Sequence, residues 1–272
     1  MTLRDAIGAA ARRLNDISDT PRLDAELLAA HALGTSRETL LLWQLDAETP
    51  PGMDALIARR ALGEPIAYIL GRKDFWTIAL DVAPGVLIPR PDSETLIEAA
   101  VAHFGRKGPD SVLDLGTGSG ALLLAALDQW PEARGVGVDR SELAVATARG
   151  NAVRLGMEDR AQILLGDWDA GIEGRFELIL CNPPYIAEDE ALPVSVSDFE
   201  PAGALFAGAD GLSEYRRLAP RIGGLVAPGG LALFEIGASQ GTEVSRIFSA
   251  PGHRPRILKD LAGRDRCIAV SI

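Results

Sequence analysis

The chain has 272 residues, 47% of them hydrophobic and 24% charged, and it carries a net charge of −11. That size and balance describe a globular protein of one large or two modest domains, and no apolar run approaches the roughly 18 residues of a membrane span. Residues 1–80 hold nine Lys/Arg against eleven Asp/Glu, about −2, which leaves −9 on the remainder; neither part has the basic surface that holds duplex phosphates, so neither a membrane nor a nucleic acid is an expected partner.

The opening Met1-Thr2-Leu3-Arg4-Asp5 meets an acid at once and has no signal-peptide core, which points to the cytoplasm. Apolar residues recur at helical spacing from Leu3 to Leu14. Thr20-Pro21 sets a cap residue before a proline, the pattern of a helix start, and the helix over 22–33 stops at Gly34. Thr35-Ser36-Arg37-Glu38 has the spacing of a capping box ahead of Thr39-Leu40-Leu41-Leu42. Thr49-Pro50-Pro51-Gly52 breaks the chain, and a helix over 53–62 closes at Gly63. Residues 1–72 therefore read as a small all-helical domain with a role in packing or partner recognition.

Residues 73–91 read as a β-hairpin linker. The run 75–82 alternates as a strand does, Ala83-Pro84-Gly85 turns, and 86–89 forms a second short strand. Asp92 or Ser93 then caps a helix over 94–104. From Asp110 strands and helices alternate, which predicts an α/β domain over 92–272 with a mostly parallel sheet covered on both faces. Strands are expected over 111–115, 134–138, 161–165, 176–181 and 230–235, with short ones near 254–259 and 266–271. Helices are expected over 119–129, 141–155, 211–222 and 239–248. Between Tyr185 and Gly208 no period is visible, and the stretch holds the acidic Glu188-Asp189-Glu190. A loop of that length is either functional or unstructured.

The strand tips carry the candidate binding residues. Gly116-Thr117-Gly118-Ser119-Gly120 leaves one strand and enters a helix. Alternate glycines turn tightly and let backbone approach a ligand, and a helix start offers free N–H groups. A nucleoside cofactor fits such a loop, and Gly116, Gly118 and Ala121 also match the relaxed dinucleotide fingerprint. Asp139 ends the next strand, where an ionised carboxylate accepts two ribose hydroxyls. Asp167-Trp168 follows the third, placing an acid for an exocyclic amine and an indole for stacking or for core packing.

The fourth tip is Cys181-Asn182-Pro183-Pro184-Tyr185. Ligands of open α/β sheets bind outside the C-terminal ends of the strands. Proline has no N–H to donate, so this stretch offers the Asn182 side-chain oxygen, the Pro183 carbonyl and the flat ring of Tyr185 to a planar group bearing an NH2. Cys181 and Cys267 have no disulfide or zinc spacing, and His31, His103 and His253 are scattered, so no metal site is expected.

Taken together these pieces resemble a class I S-adenosylmethionine-dependent methyltransferase. The run Asp114-Leu115-Gly116-Thr117-Gly118-Ser119-Gly120 is similar to that superfamily's cofactor loop, and Asp139 to its ribose acid. Asn182-Pro183-Pro184-Tyr185 resembles the signature of enzymes that methylate planar amino groups, those of DNA and RNA included. Four further stretches resemble the HemK/PrmC family: Gly63-Glu64-Pro65 with Tyr68-Ile69-Leu70-Gly71, Ile88-Pro89-Arg90-Pro91-Asp92-Ser93-Glu94, Phe199-Glu200-Pro201 with Asp210-Gly211-Leu212, and Glu235-Ile236-Gly237 with Gln240-Gly241. This similarity runs over nearly the whole chain.

The resemblance implies a Rossmann-like, mostly parallel seven-stranded sheet with S-adenosyl-L-methionine as cofactor and S-adenosyl-L-homocysteine as product. It implies methylation of the side-chain amide nitrogen of the glutamine in the Gly-Gly-Gln motif of class 1 peptide chain release factors, which bears on translation termination. Gly116, Thr117, Gly118, Ser119, Gly120, Asp139, Asp167, Trp168 and Asn182 are then expected at the cofactor. Asn182, Pro183, Pro184 and Tyr185 are expected at the substrate, with Asn182, Pro183 and Tyr185 catalytic. A monomer is expected. Three other readings stand beside it. An amino-methyltransferase acting on adenine or another planar amine in DNA or RNA shares the same logic. A nicotinamide oxidoreductase accounts for the glycines and Asp139 but not for 182–185. A protein that holds the cofactor without turnover leaves 182–185 unused.

Overall fold

The computed structural model describes residues 2–272; Met1, the first residue of the expected helical domain, lies outside the described residues. The chain divides into two compact units. One runs to Arg72 and takes in Leu192–Phe199, and the other is Lys73–Ala191 with Glu200–Ile272.

The first unit holds α1 (Leu3–Arg13), α2 (Pro21–Leu33), α3 (Arg37–Trp43), α4 (Met53–Ala61) and α5 (Ile66–Leu70). In α1, Leu3, Ala6, Ile7 and Ala10 share one buried face, and Thr2 Oγ1 caps the helix by accepting from Asp5 N. Helix α2 begins at Pro21 and ends on Gly34 in the left-handed region. The cap of α3 differs from the expected box. Ser36, not Thr35, has the extended cap dihedrals, and its Oγ accepts from Thr39 N at 3.1 Å, so Glu38 falls one place short of the box position. Leu28, Leu40, Met53, Ile57 and Ile69 close the core. Asp24 is also buried there, and Arg60 neutralises it at 2.7 Å.

Strands β1 (Arg72–Phe75), whose first residue is counted with the first unit, and β2 (Ile78–Asp81) form a two-stranded sheet. A two-residue connection leaves only antiparallel pairing open to them. The hairpin sits earlier than the sequence suggests. Trp76 has φ +53, so the alternating run 75–82 folds back on itself at Trp76-Thr77. The expected strand over 86–89 does not form; the N–H of Ile88 donates to the Glu200 carboxylate instead of to a partner strand.

A 3-10 turn, Pro91–Ser93, leads into α6 (Glu94–Phe104). Then follow β3 (Ser111–Leu115), α7 (Ala121–Gln129), β4 (Arg134–Asp139), α8 (Glu142–Arg154), β5 (Ala161–Leu165) and β6 (Phe176–Cys181). The aperiodic stretch after β6 carries the single turn α9 (Val194–Ser197), which belongs to the first unit, and a 3-10 turn at Ala202–Ala204. Ile186 and Phe206 bridge its two sides. Next come α10 (Ser213–Leu225), β7 (Val226–Glu235), α11 (Gly241–Phe248), β8 (Arg254–Lys259) and β9 (Asp265–Ser271). Helix α10 runs past its expected end to Leu225. Strand β7 starts early because Val226 already pairs with Phe176.

The seven strands order as β5-β4-β3-β6-β7-β9-β8, with only the pairs of β9 antiparallel. Alternation along buried strands splits the core into two layers. Val112, Leu178, Leu180, Leu231 and Leu233 face α6, α7 and α8. Leu113, Ile179, Cys181, Ala232 and Phe234 face α10 and α11. Among the described residues no helix is long and apolar enough to cross a membrane.

Candidate active site

Strand order reverses at β3. The chain steps from β3 outward to β4 and β5, then returns to β6 on the other side, and such a switch point opens a crevice at the strand tips. Leu115 and Cys181 are register partners there, so the Gly116–Gly120 loop and Asn182 emerge side by side. Gly116, Gly118 and Gly120 all have positive φ, the left-handed region that favours glycine. Because Gly120 is one of them, α7 starts at Ala121 and Ser119 lies in the loop rather than in the helix.

Asp114 ties this loop down from below. Its buried Oδ2 accepts from Thr117 Oγ1 at 2.6 Å and from Leu123 N at 3.2 Å, while Oδ1 is buried without a hydrogen-bond partner. Burial pushes its pKa up to about 7, with Thr117 and Leu123 pulling against that and the Asp139 charge adding to it.

Asp139 is held at both oxygens by backbone: Gly118 N donates to Oδ2 and Ser141 N to Oδ1, each at 2.9 Å. A carboxylate oxygen accepts more than one hydrogen bond, so this anchoring leaves capacity for two hydroxyls. Trp168 has φ +54, and its indole lies against Gly116; a Cβ there would come within 3.1 Å of the ring. Its Nε1 donates to Glu214 at 2.7 Å. Asp167 is more than half exposed, and Arg217 pairs with it at 2.7 Å. Gly116, Thr117, Gly118, Ser119, Asp139, Asp167, Trp168 and Asn182 all line one cleft of about 250 Å³, whereas Gly120 does not line it. Close backbone with positive-φ glycines, a fixed acid and an indole wall suit a nucleoside.

Asn182 is anchored by residues far away in sequence. Its Nδ2 donates to Ser93 Oγ at 3.1 Å, and the Ser93 hydroxyl in turn donates to the buried carboxylate of Glu235 at the end of β7. Ser93 is thus no helix cap: no side-chain cap bond forms on α6, and the hydroxyl is committed to Glu235. Tyr185 Oη donates to the other oxygen of the same carboxylate at 3.3 Å. Burial first, and then the Glu235 charge, push the Tyr185 phenol up, so it stays protonated. Burial likewise raises both thiols, Cys181 and Cys267.

The backbone behind Tyr185 is fixed too. Gln240 Nε2 donates to the Tyr185 carbonyl at 2.8 Å, and Gly237 N donates to Gln240 Oε1 at 2.9 Å. Gly211, at φ +69, approaches so closely that a Cβ would sit 2.3 Å from that carbonyl. On the other rim Glu200 accepts from Ile88 N at 3.1 Å and pairs with Arg90. Ser93, Glu200, Gly211, Glu235 and Gln240 all lie in stretches that carried the family resemblance. Sequence reasoning gave Ser93 only the role of a helix cap and the other four none; the available signal was a glutamate closing an otherwise apolar strand, Leu231 to Glu235.

Residues 5–71 match the PrmC N-terminal domain family, and residues 92–202 match the Methyltransferase small domain. The chain is 44% identical over 256 residues to the release factor glutamine methyltransferase of Rhodospirillum rubrum, covering 92% of this chain and 78% of that one. With the enzyme of the same name from Caulobacter vibrioides it shares 41% over 276 residues, covering 98% and 96%. With that of Escherichia coli it shares 38%, covering 92% and 91%. Two solved structures share the fold. One is a methyltransferase from Pyrococcus furiosus, with TM-score 0.53, 18% identity and coverage of 71% and 89%. The other is a Thermus thermophilus 16S rRNA methyltransferase in complex with AdoMet and guanosine, with TM-score 0.52, 20% identity and coverage of 74% and 49%.

Proposed function

The chain belongs to the HemK/PrmC family of release factor glutamine methyltransferases, and from that premise we propose that it methylates the side-chain amide nitrogen of the glutamine in the Gly-Gly-Gln motif of class 1 peptide chain release factors. The carrying observation is 41% identity over 98% of the chain to a relative of that name. The relatives act on release factors by name, so the DNA or RNA alternative is not favoured.

The cofactor is S-adenosyl-L-methionine, which when bound supplies an electrophilic methyl group on a sulfonium and departs as S-adenosyl-L-homocysteine. Gly116, Thr117, Gly118, Ser119 and Gly120 hold it by backbone, Asp139 takes the ribose hydroxyls, and Trp168 walls the base. Asp167 meets the exocyclic amine at the cost of its pairing with Arg217.

A carboxamide nitrogen is a weak nucleophile because its lone pair is delocalised into the carbonyl. Asn182 Oδ1 and the Pro183 carbonyl accept its two N–H bonds and aim the remaining lobe. Pro184 stiffens the stretch, and the Tyr185 ring sets the height of the amide plane. Alignment supplies about 7–11 kcal/mol of such a barrier, against about 0.5–1.5 kcal/mol for each net hydrogen bond, so positioning dominates. The transfer needs no general base, and the product nitrogen gives up its proton to solvent after transfer, when it is acidic. The working partner is a class 1 release factor, the setting cytoplasmic, and the enzyme a monomer that does not need nucleic acid.

The test incubates the protein with purified release factor, DNA and RNA in parallel, using methyl-labelled cofactor, and maps the label by mass spectrometry. Label on the glutamine amide nitrogen is expected. Label on a base, or none on the release factor, ends the proposal.

A further inference from the structure

We infer that Glu235 is a positioning residue for methyl transfer, holding Asn182 through Ser93 and Tyr185 directly, so that one buried carboxylate sets both ends of the Asn182–Tyr185 stretch. This rests on the reading of Asn182 given above and adds what orients it.

An ionised carboxylate only accepts. Facing Glu235 Oε2, Ser93 has its single proton committed, and its oxygen then offers only lone pairs to Asn182. Asn182 must therefore turn Nδ2 towards Ser93, the arrangement seen at 3.1 Å. That leaves Oδ1 on the other arm of the amide, an acceptor for the substrate N–H. Were Glu235 neutral, its proton could go to Ser93, the Ser93 proton to Asn182, and the amide would flip. The substrate NH2 would then meet a second NH2, donor against donor. Oε1 meanwhile takes the Tyr185 hydroxyl at 3.3 Å, which ties the ring to the same ionisation state.

Glu235 is fully buried, and burial pushes its pKa up to about 7; Ser93, then Arg266, then Tyr185 oppose that, and the Asp92 charge adds to it. The other ionisable groups around it are Cys267 beside Arg266 on β9, Cys181 on β6 and Tyr215 on α10, all raised by burial and protonated at neutral pH. The relay is thus in its working state in about half of the molecules at pH 7 and in a rising share above it.

The test compares the full-length enzyme with Ser93→Ala, Glu235→Gln and Asn182→Ala, at saturating cofactor, between pH 6 and 9. Glu235→Gln has one acceptor oxygen for two hydroxyl donors, and Ser93→Ala breaks the relay by removing a single oxygen. Each is expected to lower kcat about 10- to 100-fold, the loss of one charge-assisted hydrogen bond. KM for the release factor and the calorimetric cofactor affinity stay within about twofold, because Glu235 lies outside the cleft and Ser93, at its edge, has its hydroxyl committed to Glu235 and Asn182. Wild-type kcat rises through an ionisation at about 7 that Glu235→Gln lacks and that Asp114→Asn, which removes the other buried carboxylate ionising there, keeps. Asn182→Ala separates the two layers. If it is inactive while Ser93→Ala turns over at the wild-type rate, or while Glu235→Gln keeps the ionisation, the relay is wrong and the reading of Asn182 stands. If Asn182→Ala itself turns over fully, both fall. Should Glu235→Gln not fold, Ser93→Ala decides alone.

Discussion

Asn182 has one amide and two obligations: its nitrogen is spent on Ser93 and its oxygen is left for the cleft. Replacing it by alanine removes an aimed acceptor and leaves Gly116–Ser119 and Asp139 in the cleft to hold the cofactor. Asn182→Ala should lose at least about a thousandfold in kcat, a fraction of what alignment contributes, with cofactor affinity by calorimetry nearly unchanged; a fall confined to affinity would argue against the role. Asp139 is the opposite case. Its carboxylate is fixed by two backbone N–H groups and has no part in the transfer. Asp139→Ala should weaken cofactor binding about 10- to 100-fold, with kcat at saturation falling much less, and unchanged affinity would remove it from the ribose. Asp139 was legible in the sequence because its place at the tip of the strand that follows the glycine loop and its helix is a local pattern. Ser93 was not. A serine ahead of a helix is ordinarily a cap, and only the fold shows its hydroxyl reaching a carboxylate 142 residues on.

At the level of elements, the strands of the parallel sheet were readable because each is an apolar run too short for a helix, and their tips carried the glycines and acids. The hairpin was misread for a physical reason. The run 75–82 alternates correctly, but alternation says nothing about a reversal, and Trp76 turns with φ +53 without a glycine or proline to announce it. The 186–208 stretch has no period because the isolated Ile186–Phe206 bridge and scattered backbone hydrogen bonds, such as Glu188 N to the Gly208 carbonyl, hold it rather than a ladder. The loop at 208–212 shows what such packing demands. Gly208 and Gly211 both have positive φ, but a Cβ on Gly208 meets Ser213 at 3.6 Å, whereas one on Gly211 meets the Tyr185 carbonyl at 2.3 Å. Gly208→Ala should therefore cost only the left-handed conformation, about 1–2 kcal/mol by denaturant titration. Gly211→Ala should cost more and should also lower kcat about tenfold or more, since the displaced carbonyl belongs to the stretch that holds the substrate amide. Equal activities in the two variants would mean that the 208–212 loop does not set Tyr185.

For the molecule as a whole, two fully buried carboxylates with pKa values of about 7 set stability and activity against each other. In the unfolded chain Asp114 and Glu235 ionise near the ordinary values of 3.8 and 4.5. Between those values and about 7 the folded state holds protons that the unfolded state has released. Stability from these two groups is complete below the ordinary values and is lost as pH rises through 7. Glu26 runs the other way: burial raises its pKa, but Arg22 and Arg37 together bring it below 4.5, so its contribution is lost only in acid and is constant above about pH 6. The window from about pH 6 to 8 therefore isolates the buried pair. Unfolding free energy should fall across it in the wild type, and the slope should flatten in Asp114→Asn with Glu235→Gln, measured by urea titration at each pH. Parallel slopes would show that neither carboxylate holds its proton in the folded state. If the slopes do differ, catalysis improves over the same pH range in which the fold weakens, because the ionised Glu235 that orients Asn182 is the form that burial disfavours.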